Sequence, residues 1–115
     1  MSEQAPSLVP SFDVTVHIVL DDFGKLGRSY RETDEESADL DTVVRNMLLG
    51  EYNKPVRVIA FNTSEFWSRD VSEDVAWEVV RGAVASGRRL PDATHYFVAR
   101  HLGEQLALRA ENALL

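Results

Sequence analysis

Two adjacent carboxylates, Asp21 and Asp22, are the residues best suited to chemistry in this 115-residue chain, and they follow an apolar stretch ending at Leu20. Carboxylates at the end of a strand can hold a hard cation such as Mg²⁺ or act as nucleophiles in phosphoryl transfer. A second polar group, Asn62-Thr63-Ser64, follows the other strongly apolar stretch, 56–61. Its amide and hydroxyls suit contacts to a phosphate. The two groups share an edge of the sheet only if their strands run parallel; antiparallel strands put them at opposite ends. The competing assignment is a turn, because Asp side chains ahead of Phe23-Gly24 bond their own backbone. A metal-dependent enzyme acting on a phosphate-bearing small molecule through Asp21 and Asp22 is therefore the alternative reading, and the turn is preferred.

Other chemistries lack parts. The chain has no cysteine, so no disulfide, thiolate metal site or Cys nucleophile is available. His95 and His101 are six apart on a predicted helix, about 240° around its axis, and do not face one ligand. His17 belongs to the polar side of the first strand. The serine nucleophile elbow and the Gly-rich phosphate loop are both absent from the sequence. These absences predict no cofactor and favour a protein that is not an enzyme.

Charge narrows the partners. The net charge is −7, which opposes direct binding to nucleic acid or to an anionic membrane. Sixteen acids and seven bases precede Arg81; five bases and three acids follow from there, an asymmetry of −9 against +2. The acid run Glu32, Asp34, Glu35, Glu36, Asp39 and Asp41 raises a third reading, an acidic regulator of a nucleic-acid-binding protein. A helix N-terminus accounts for half of that run. Arg81, Arg88 and Arg89 cluster where a helix C-terminus would favour cations.

The loop Phe61-Asn62-Thr63-Ser64-Glu65-Phe66-Trp67 carries three aromatics where the chain should meet water. Phe66 and Trp67 are candidate partner anchors, because buried aromatics dominate binding hot spots. The structural alternative folds one of them back over the next helix and leaves the other ring exposed.

These residues are positioned by a predicted β-β-α-β-α-α order. Phe12, Val14, Val16, Ile18 and Leu20 alternate with Asp13, Thr15 and His17, a strand with an apolar buried face and a polar outer one. A weaker strand lies near Tyr30, within 28–32. Thr33 and Glu36 form a capping box for a helix bearing Leu40, Val43, Val44, Met47 and Leu48, which Gly50 stops. Pro55 opens the second strong strand, and 62–69 reads as loop. A helix spans about 71–86 and ends at Gly87. The last helix begins at Leu90-Pro91-Asp92 and presents Leu102, Leu106, Ala110 and Leu114, with Gly103 able to break it. Gly82 inside the 71–86 helix needs an offset of about 1 kcal/mol, which close approach of the last helix or of a second subunit would supply.

The fold class that follows is α+β: a small, mainly antiparallel sheet covered by helices, with the first strand central. The alternative is a minimal βαβ unit plus C-terminal helices. Residues 1–11 read as a flexible leader and 12–115 as one domain. No apolar run is long enough to span a membrane and no signal peptide opens the chain, so a cytoplasmic location is expected. The leading functional expectation is a protein that binds another protein, itself included as a homodimer. Phe66, Trp67, Leu106 and Leu114 are its candidate contact residues.

Overall fold

The computed structural model describes residues 15–31 and 39–112, the last four by backbone alone. Its strands are β1 (Thr15–Asp22), β2 (Arg28–Tyr30), β3 (Pro55–Asn62) and β4 (Trp67–Asp70). The helices are α1 (Leu40–Leu49), α2 (Ser72–Ser86), α3 (Asp92–Leu102) and α4 (Glu104–Asn112). The strands form one antiparallel sheet in the order β2-β1-β3-β4. This is the α+β class, and the parallel βαβ alternative is overturned. The crossover through α1 returns β3 beside β1 with Ile18 opposite Ile59.

Helix ends follow local chemistry. The Asp39 carboxylate accepts from the Thr42 amide and hydroxyl, and this holds it below the usual carboxylate range, the hydroxyl contributing most. The helix begins there, and Thr33 and Glu36 lie outside the described residues. Gly50 and Gly87 close α1 and α2 in the left-handed conformation. Gly103 separates α3 from α4. Within the chain, Gly82 is explained by the approach of α1 rather than of the last helix. A Cβ there would lie 2.8 Å from Leu48 Cδ1, so the glycine lets α1 approach α2.

Burial corrects two expectations. All four helices contribute to a core with Val19, Val58 and Ala60, which are 2%, 0% and 2% exposed. Alternation places Val16, Ile18 and Leu20 on the other face of β1, with Ile59 and Phe61 beside them on β3. These five are half-buried and belong to no part of that core. The apolar side of β1 therefore faces away from the helices, and the side of His17 faces them. Phe12 and Val14 lie outside the described residues. The second correction is the segment 62–69, which is a hairpin: residues 67–70 pair with β3 as an edge strand. Trp67 and Arg69 hid that strand because its short sequence has no run of β-branched residues.

Candidate functional site

Asp21 and Asp22 diverge sharply despite adjacency. A register shift between Leu20 and Asp21 brings Asp21 to the turn that precedes β3. Its carboxylate is fully buried and accepts the Lys54 amide on Oδ1 at 2.6 Å. Oδ2 accepts the Asn53 amide and Arg31 Nη1, each at 2.8 Å. Three donors, one of them charged, compensate for burial of the anion. Asp22 points outward and caps the Gly24 amide at 2.8 Å. That amide and the nearby Arg28 and Lys54 hold its carboxyl below the ordinary value, the amide contributing most. Asp21 is a clamp between strand and turn, and Asp22 is the turn former.

Asn62, Thr63 and Ser64 sit at the far end. Asn62 pairs with Thr15, whereas Asp21 pairs with Pro55. Six residues of strand separate the two groups, on the order of 20 Å. The structure therefore does not bring Asp21 and Asp22 to Thr63 and Ser64. Asn62 is itself buried: its Oδ1 accepts the Ser64 and Glu65 amides, and its Nδ2 donates to Thr15 Oγ1. The polar trio builds a hairpin turn. Among the described residues, no group of three or more His, Asp or Glu side chains gathers to hold a metal ion.

The hairpin turn presents Phe66. Its amide donates to the Asn62 carbonyl at 3.0 Å, and it adopts φ +57°, the one non-glycine residue with positive φ among those described. The ring is 89% exposed. Trp67 behaves differently: it is half-buried and packs against the core, donates Nε1–H to Glu65 and lies under the Arg69 guanidinium at 5.0 Å. An apolar recess of about 500 Å³ wraps this end of the hairpin, lined by Phe61, Thr63, Phe66 and Trp67 among others. Phe61 connects it to the open sheet face.

That face is the feature sequence reasoning missed. Val16 opposes Phe61, Ile18 opposes Ile59, and Leu20 opposes both Arg57 and Tyr30. The result is an apolar strip across the two central strands with Tyr30 at one margin. Two ion pairs flank it, Arg57 with Asp70 at 3.8 Å and Arg28 with Asp22 at 3.6 Å. Asp70 is pushed upward by partial burial, but the Ser72 hydroxyl and amide bring it net below the usual range. The signal was present in the alternation of residues 15–22; Val19 and Asp21 carried the other half of it.

The C-terminal stripe is less open than its spacing predicts. Leu102 and Leu106 are half-buried and Ala107 is fully buried, so α4 folds back on the helical layer. The side chain of Ala110 and residue Leu114 lie outside the described residues. His95 Nε2 lies 3.0 Å from Glu104 across the Gly103 break, and His101 Nε2 lies 2.7 Å from the Val56 carbonyl. No helix among the described residues is long and apolar enough to cross a membrane. No family model, curated protein or solved structure matches the chain.

Proposed function

We propose that this protein works by binding protein, and that the open sheet face is where a second copy of the chain docks. The observation that carries the reading is the strip Val16, Ile18, Leu20, Ile59 and Phe61, apolar and outside the core formed by the helices. Soluble proteins rarely leave a contiguous apolar area of this kind without a use for it. Two such faces stack about 10 Å apart in sheet-on-sheet packing, and a two-fold axis lets one face serve both partners.

Charge supports a second copy as the occupant. The chain carries −7 overall, so most surfaces repel their own kind. Among the described residues the open face has two bases, Arg28 and Arg57, and two acids, Asp22 and Asp70, for a net of zero. Area sets a further condition. Four strands over six residues give a footprint of roughly 400 Å². A standard interface takes about 800 Å² from each partner, so the contact must extend past the strip. The hairpin end supplies that extension. Holding Phe66 in the left-handed region costs about 1–2 kcal/mol, which an anchor at a partner surface would offset. The metal-dependent reading has no comparable support, since the Asp21 oxygens are already occupied by three donors.

Sedimentation equilibrium tests the reading. The expected result is a monomer–dimer equilibrium that Ile18→Lys or Ile59→Lys shifts to monomer while the circular dichroism spectrum stays native. A wild-type chain that remains monomeric well above micromolar concentration overturns it.

A further inference from the structure

On the other side of the molecule, the beginning of β3 meets the middle of α3 around a cleft of about 380 Å³. Lys54, Pro55, Val56, Tyr96, Ala99 and Arg100 line it. Its size falls within the range that holds small ligands. Pro55 and Val56 are buried and form an apolar base, with Ala99 leaving room above them. Tyr96 is 60% exposed and offers a ring face at the wall.

The two cations give the cleft its chemistry. Lys54 and Arg100 are exposed, and among the described residues neither has an ion pair. Asp22 is the acid that feels Lys54, but its carboxylate is engaged first by the Gly24 amide and then by Arg28. In a chain with seven more acids than bases, two unpaired cations over one apolar base are an unusual placement. The wall that carries Arg100 is also fixed in position. Its neighbour His101 reaches the Val56 carbonyl at 2.7 Å, and Phe97 is fully buried beside it, ring centroids 4.8 Å apart. The cleft is therefore preformed, and no loop has to close to make it.

We propose that this cleft binds a small molecule carrying an anionic head, carboxylate or phosphate, on an apolar or aromatic body. The guanidinium of Arg100 offers paired donors to the head and Lys54 a mobile point charge. The body lies over Val56 and Ala99, against the Tyr96 ring. The site is independent of the self-association reading, because it lies between sheet and helix rather than on the open face.

A titration of the ¹⁵N-labelled full chain followed by amide chemical shifts tests this, with phenyl phosphate and benzoate as probes. Saturable shifts confined to residues 54–56 and 96–100 are expected for one or both, and the tighter probe identifies the head group. Lys54→Gln with Arg100→Gln should weaken binding about tenfold or more, and Tyr96→Ala should weaken it with both charges retained. All three substitutions fall on exposed side chains, so the spectrum itself reports that the fold is kept. The proposal is overturned by any of three results. One is the lack of saturable shifts up to about 10 mM probe. The second is unchanged affinity in the double variant. The third is equal binding of benzylamine or of inorganic phosphate, which would show that charge sign or the apolar base plays no part.

Discussion

The two faces of the sheet are made by the same strands, yet they have opposite fates. On the helix side Val19, Val58 and Ala60 lose nearly all contact with water, and Asp21 is buried with them. On the open side Ile18 and Ile59, larger and more apolar, are only half-buried. Side-chain hydrophobicity did not decide which face took the helices. The face that contains Asp21 tolerates being covered because Arg31 and the Asn53–Lys54 amides satisfy its charge there. A buried carboxylate with three donors is tolerable, and a half-buried apolar strip keeps area that another chain can cover.

Substitutions at adjacent positions break this comparison most directly. Val58→Lys drives an ammonium into the core at a cost of several kcal/mol, and loss of cooperative thermal unfolding is expected. Ile59→Lys, one residue further along, should keep a native melt and lose only association. Equal damage at the two positions would mean that both faces belong to one core.

The carboxylate pair sharpens the same contrast at smaller scale. Asp21→Ala leaves Arg31 and two amides without their acceptor and should cost about 3–5 kcal/mol in urea denaturation. Asp22→Ala removes an exposed turn contact, and the midpoint should move far less. A large loss at Asp22 with none at Asp21 would reverse the roles assigned to them.

Phe66→Gly gives the smallest effect, and its sign is the informative part. Relief of the left-handed backbone should offset the entropy that glycine adds to the unfolded chain, leaving monomer stability unchanged or raised by about 1 kcal/mol. Dimerisation should weaken in the same protein when both are measured across a concentration series. A destabilised monomer with unaltered association would make Phe66 part of the hairpin's own support.

Much of the fold was legible in local chemistry. Gly50 and Gly87 marked helix ends because the left-handed stop has few other occupants. Gly103 marked the break between α3 and α4, and the spacing of Val43 and Met47 marked the buried stripe of α1. The strand β4 escaped notice because Trp67-Ser68-Arg69-Asp70 is stabilised by pairing with β3 and carries no pattern of its own. The N-cap at Asp39 was hidden among several acids that satisfy the same rule.

The sequence by itself determined the helices, the long strands and their periods, since these arise from contacts between near neighbours. The pairing of β1 with β3 that makes the sheet antiparallel joins residues up to 47 positions apart. Alternation along β1 also announced two chemically different faces. Only tertiary structure decided which one met the helices, and on that side Asp21 finds donors ten and more than thirty residues away. The same long-range pairing put Asp21 and Thr63 at opposite ends of the sheet. It also set Lys54 and Arg100, forty-six positions apart in the chain, on the rim of one cleft. Residue spacing carries no information about such distances until the strand order is fixed.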